Sequence, residues 1–76
     1  MKGKNPLHNH YYLLGRRIQR LRQKRGFTQE VLAEKLKITT SHLGSVEAGL
    51  KKPSVDLLFA IARTLEVKDM ELFKYE

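Results

Sequence analysis

The sequence predicts an all-α fold, a compact bundle of five helices forming one domain within 76 residues. Three observations carry that reading. Apolar residues recur at helical spacing, as with Leu14, Ile18 and Leu21 at i, i+4 and i+7. Thr28, Thr39 and Ser54 each stand directly before such a run, where a hydroxyl caps a helix. No stretch shows the period-two alternation of a strand, and no internal repeat is visible.

Each element follows in order. Residues 1–9 (MKGKNPLHN) read as a flexible basic arm, because Gly3, Asn5 and Pro6 interrupt regularity. His8 and His10 have no carboxylate among them, so the pair reads as incidental and no metal site is expected. The domain proper occupies 10–76. Its first helix runs from His10 to Arg25, with basic residues on the faces that Leu14, Ile18 and Leu21 leave open. Gly26 stops it, and Phe27 is a core anchor. Thr28 caps the second helix, and Glu30 stands in its first turn, where the helix dipole favours a negative charge. Thr39 caps the third, Thr40–Ala48, which Gly49 ends. Leu43, Val46 and Glu47 turn inward there, while Thr40, Ser41, Gly44, Ser45 and Ala48 share the outward face. After the loop 50–53, Ser54 caps a fourth helix reaching Leu65, with Leu58, Ile61, Ala62 and Leu65 as its core stripe. A last short helix, Asp69–Phe73, brings Met70, Leu72 and Phe73.

Composition narrows the function. With no cysteine, a disulfide framework, a thiol nucleophile and a cysteine-ligated zinc are all excluded. No apolar run approaches the roughly 20 residues that span a bilayer, and no apolar signal core opens the chain. A reducing cytoplasm is the expected compartment, with no membrane partner. Residues 1–29 hold eight of the 15 Lys and Arg and none of the eight Asp and Glu, so the net charge of +7 sits in the N-terminal third. A localised positive field favours a polyanion, nucleic acid first. Its bland counterpart is a solvated basic helix face. An enzyme is not expected: there is no acid pair, no nucleophile–base constellation and no Gly-rich phosphate loop. Nor is a cofactor or a small-molecule ligand.

The segment Thr28–Gly49 adds the motif. Ala33 is small where two backbones approach, and Leu32, Leu36, Ile38, Leu43 and Val46 converge on one side. The second of its two helices keeps short polar side chains outward. That is a helix-turn-helix unit, which offers its second helix to the DNA major groove.

From Leu14 to Phe73 the chain resembles the Cro/C1-type helix-turn-helix domain of phage repressors and small xenobiotic-response-element-type bacterial regulators. The matched positions include Leu14-Gly15, Ile18, Leu21-Arg22, Gly26, Gln29, Leu32-Ala33, Leu43, Val46-Glu47, Gly49, Pro53, Ile61-Ala62, Leu65 and Leu72-Phe73. The resemblance implies the lambda-repressor-like five-helix fold, double-stranded DNA as ligand, and a homodimer. It implies that Gln29 clamps a DNA phosphate, a role for which a helix N-terminus is independently suited. It places Thr40, Ser41, Gly44 and Ser45 at base-reading positions, and Thr39, His42, Lys51 and Lys52 near the DNA backbone. Lys37 and Arg17 join the backbone set as cations. Arg22 and Glu47 match the family's partly buried ion pair between the first and third helices; a phosphate contact is the alternative for Arg22.

Three positions depart from the family pattern. Lys37 and Glu66 stand where glycine is usual, and Lys68 stands where a capping serine is usual. The reading face also lacks Gln, Asn and Arg, whose bidentate contacts discriminate bases most sharply. Specificity is therefore expected to be spread over helix depth, loop contacts, DNA shape and the basic arm.

Val55, Leu57, Phe59, Met70, Phe73 and Tyr75 exceed what one small core needs and are candidates for an isologous dimer contact; the alternative is that they complete the monomer core. The leading function is a sequence-specific transcriptional regulator, a repressor or controller acting as a homodimer on a palindromic operator. A restriction–modification controller, a phage-type repressor and an antitoxin all fit. The alternative is a protein-interaction module of the same fold, such as an antitoxin whose main partner is a toxin protein.

Overall fold

The computed structural model describes residues 6–74, with side chains from His10 onward. Four α-helices, α1 (Pro6–Lys24), α2 (Gln29–Leu36), α3 (Thr40–Glu47) and α4 (Val55–Leu65), are followed by one 3-10 turn, Asp69–Phe73. The class is all-α as expected; beyond one-residue shifts at the ends of α1 and α3, two details differ. Helix α1 begins at Pro6 rather than His10, so residues 6–9 of the expected arm are helical. Proline breaks a helix interior, yet at the first helical position its missing N–H costs nothing and its φ is already set. Residues 1–5 of that arm lie outside the described residues. The fifth element is a 3-10 turn, closed by Glu71 N–H donating to the Lys68 carbonyl at 2.9 Å. Lys68, with no side-chain acceptor, gives its first turn no capping bond.

The three hydroxyl caps form as their positions dictate. Thr28 accepts from Val31 N–H at 3.1 Å, Thr39 from His42 N–H at 3.0 Å and Ser54 from Leu57 N–H at 3.0 Å. All four α-helices then end in the same way. A left-handed residue (Gly26, Lys37, Gly49, Glu66) and its successor return their N–H groups to carbonyls of the last turn. Two of the four are not glycine: Lys37 has φ 61° and Glu66 φ 60°.

The core is a single cluster. Leu14, Ile18 and Leu21 of α1 meet Leu32 and Ala33 of α2, Leu43 and Val46 of α3, Ile61, Ala62 and Leu65 of α4, and Leu72. Full burial of each Leu or Ile contributes about 1.5–3 kcal/mol before chain entropy is charged against it. Leu57, partly buried, packs against this cluster, in line with the alternative that it completes the monomer core. Helices α1 and α3 approach most intimately at Gly15, where a Cβ would overlap the carbonyl oxygens of Val46 and Glu47. A second close approach follows at Gly49, where a Cβ would lie 2.6 Å from Tyr12 Cα. These two contacts fix the roll of α3 on the bundle, and with it the face that α3 presents to solvent.

Candidate nucleic-acid interface

Helix α3 turns Leu43, Val46 and Glu47 into the bundle and leaves Ser41 and Ala48 exposed, with Thr40, Gly44 and Ser45 half-exposed between them. The four expected base-reading residues therefore share one accessible face. Thr39 commits its oxygen to the α3 cap and keeps its hydroxyl proton to donate. His42 is half-buried beside it; Lys37, in the turn before α3, and Lys51 and Lys52, in the loop after it, are exposed. Lys52 lies with its Nζ 5.7 Å from the centre of the Tyr11 ring.

Beneath this face sits a buried polar network. Arg22 donates from Nε to Glu47 Oε2 at 2.6 Å, from Nη2 to Oε1 at 3.1 Å, and from Nη1 to the Phe27 carbonyl at 2.8 Å. Both side chains are almost fully buried, so Arg22 serves the structure and is not available to a phosphate. Gln29 joins the network through Nε2, which donates to Glu47 Oε1 at 2.9 Å. The bond was not legible in the sequence, where Gln29 reads as facing DNA only. It leaves one amide N–H of Gln29 free for a phosphate and holds the amide beside Gly44, the nearest side-chain atoms to a Cβ built there. Among the described residues no buried side-chain nitrogen or oxygen lacks a partner.

Arg17 is not brought to this surface. Its guanidinium turns to the 3-10 turn, donating to the Glu71 carbonyl at 2.9 Å and to Glu71 Oε1 at 3.2 Å. The expectation that it contacts the DNA backbone is corrected by that pairing. Lys74, 3.2 Å from the other carboxylate oxygen, and Arg17 together hold the Glu71 carboxyl below its ordinary range, with Lys74 the larger cause. Tyr12, Arg16 and Gln19, and not Arg17, are the α1 residues that stand beside α3. They line a cleft of about 310 Å³ with Gln29, Gly44, Glu47 and Ala48. The signal was present as spacing: positions 12, 16, 19 and 22–23 follow one helical face, the one that carries Arg22.

At the far end, Val55, Phe59 and Phe73 stay exposed and line an apolar groove of about 240 Å³ with Leu58, Asp69 and Leu72. Met70 is exposed, at 65 %, but does not line that groove. Tyr75 lies outside the described residues. No helix among the described residues is long and apolar enough to cross a membrane.

A buried-core helix pair with a polar, accessible second helix defines the helix-turn-helix class of DNA-binding transcriptional regulators. Residues 18–72 match the helix-turn-helix family HTH_3, and the chain belongs to that Cro/C1-type family, whose members bind double-stranded DNA. It is 40% identical over 58 residues to the uncharacterized HTH-type transcriptional regulator YazB of Bacillus subtilis, covering 76% of this chain and 84% of YazB. It is 34% identical over 56 residues to the HTH-type transcriptional regulator SinR of the same species, covering 72% of this chain and 50% of SinR. The crystal structure of the restriction-modification controller protein C.AhdI from Aeromonas hydrophila superposes with a TM-score of 0.80 at 32% identity. That match covers 83% of this chain and 96% of C.AhdI. The chain is thus a transcriptional regulator with a helix-turn-helix DNA-binding domain.

Proposed function

We propose that this regulator binds a palindromic operator as a homodimer and represses or controls the promoter beside it. The carrying observation is the accessible polar face of α3, flanked by donors on both sides. Thr40, Ser41 and Ser45 read base edges, Gly44 at the same face lets the backbone approach the groove, and Gln29, Thr39, His42, Lys37, Lys51 and Lys52 hold the sugar–phosphate backbone. Arg22 and Glu47 set the angle at which α3 enters the groove. The apolar groove of Val55, Phe59 and Phe73 supports a two-fold contact with a second copy, with Met70 at its margin. Two copies place paired recognition helices about 34 Å apart, one turn of the duplex. The likeness to C.AhdI, matched over nearly its whole length, favours a controller of the restriction–modification kind among the sub-types.

Selection of bound duplexes from a random pool tests the reading. The expected product is a motif with two-fold symmetry and half-sites about 10 base pairs apart, bound by a species that sediments as a dimer. An asymmetric motif bound by a monomer removes the homodimer, and absence of any enriched sequence removes operator recognition.

A further inference from the structure

The first helix does more than complete the core. It extends twelve residues ahead of Ile18, where the family match begins. This extension passes the C-terminal end of α3, where Gly49 lies against the Tyr12 backbone. Two consecutive aromatic residues on it each carry a cation. The Arg16 guanidinium stands over the Tyr12 ring at 6.0 Å, and the Lys52 ammonium stands over the Tyr11 ring at 5.7 Å. Arg16 belongs to the cleft shared with Gln29, Gly44 and Ala48, and Lys52 belongs to the loop that follows α3. Both cations remain exposed, so a ring beneath each leaves its outer N–H groups to solvent.

We propose that Tyr11 and Tyr12 are positioning residues that hold Lys52 and Arg16 as phosphate-binding cations on either side of the C-terminal end of the recognition helix. The ligand is the sugar–phosphate backbone of duplex DNA. This rests on the operator-binding reading above and deepens it. Long cationic side chains lose rotamer freedom when they bind an anion, and a ring face that restrains them beforehand lowers that cost. The cleft suits a phosphodiester. Arg16 brings charge, Gln19 and the free N–H of Gln29 bring donors, and the one carboxylate present, Glu47, is already neutralised by Arg22. Glycine at 44 keeps the floor of that cleft low. Tyr12 itself is 46% exposed, too open to be explained by core packing alone.

The test is a titration of duplex affinity against salt for the full chain and for Arg16→Ala, Lys52→Ala, Tyr12→Leu, Tyr12→Phe, Tyr11→Leu and Tyr11→Phe, with thermal melting recorded for each. Loss of one phosphate contact lowers the slope of log affinity on log salt by about 0.9, or roughly eight-fold in affinity at 0.1 M relative to a 1 M reference. The expected result is that loss in both alanine variants, a smaller affinity loss in both leucine variants, and recovery in both phenylalanine variants, which keep the ring. Leucine variants that melt and bind like the parent overturn the positioning role. Alanine variants with the parent's slope overturn the phosphate contacts. A parent chain that binds no duplex, or binds without salt dependence, overturns instead the operator reading on which the proposal rests.

Discussion

Arg22 and Glu47 meet in a two-pronged ion pair across 25 positions of sequence, with Nε–Oε2 at 2.6 Å, and Gln29 bonds to the same carboxylate. One buried carboxylate thus joins the first helix, the start of the second and the third. Removing either charge leaves the other buried alone, so Arg22→Ala and Glu47→Ala each lower unfolding free energy by about 3–5 kcal/mol. The paired apolar replacement Arg22→Met/Glu47→Leu costs less than either, because no charge is stranded. It nonetheless weakens duplex binding, since Gln29 loses its anchor. Urea unfolding and duplex titration of the three variants check both halves; a double variant binding like the parent removes the link to Gln29.

Two glycines on the α1–α3 contact and the reading face answer oppositely to alanine. At Gly15 the added carbon overlaps two backbone carbonyls that cannot rotate away, so Gly15→Ala costs at least about 1–3 kcal/mol. At Gly44 the nearest atom is Gln29 Oε1 at 3.7 Å, an ordinary contact. Gly44→Ala therefore stabilises the helix by about 0.5–1 kcal/mol, while lifting α3 away from the groove floor. Melting temperature and operator affinity are expected to move in opposite directions in Gly44→Ala; a fall in both counts against that account.

Lys37 and Glu66 hold left-handed backbone without being glycine. Lys37→Gly relieves about 1 kcal/mol of strain and removes one cation at the end of α2. The expected outcome is a higher melting temperature with a salt slope reduced by about 0.9. Glu66→Gly also melts higher, losing only an exposed pair with Arg25, and keeps the parent slope. Equal slopes in the two variants remove Lys37 from the DNA backbone contacts.

How much of this was legible in the chain depends on the range of the interaction. The caps at Thr28, Thr39 and Ser54 are local chemistry, a hydroxyl beside the first free N–H groups, and position alone reveals them. The inward face of α3 follows from periodicity. Pro6 misled because one residue type both breaks helices and starts them, and only the presence of a helix after it decides. Arg17 misled because its partner stands 54 positions away and nothing local distinguishes it from Arg16. The cleft of Tyr12, Arg16 and Gln19 exists only where α1 and α3 close on Gly15, a tertiary event.

The Glu71 carboxyl, held below its ordinary range by Lys74 first and Arg17 second, supplies a pH dependence with a definite sign. Its folded-state value lies below its unfolded value. The stabilisation is therefore complete above the ordinary carboxylate range and is lost as pH falls through the lowered folded value. In a carboxyl chemical-shift titration, Lys74→Ala moves the Glu71 midpoint up, and further than Arg17→Ala does. Arg17→Ala in turn lowers stability at every pH, because it also loses the bond to the Glu71 carbonyl. A Glu71 midpoint insensitive to Lys74 removes this assignment.

The face that should name the operator carries Thr40, Ser41, Gly44, Ser45 and Ala48, all short. Hydroxyls donate or accept with little selectivity, so each supplies less discrimination than a bidentate amide or guanidinium. Replacing Thr40, Ser41 and Ser45 together with alanine removes no cation and no cap, so the salt slope and non-specific affinity stay at parent values. The ratio of operator to non-specific affinity falls about ten-fold or more, the equivalent of one mismatched base pair at about 1–3 kcal/mol. Competition titrations with operator and scrambled duplexes at fixed salt measure that ratio. An unchanged ratio assigns sequence discrimination to DNA shape and to the flanking contacts of Gln29, His42 and the loop lysines, because a face stripped of its hydroxyls can no longer read base edges by hydrogen bonds.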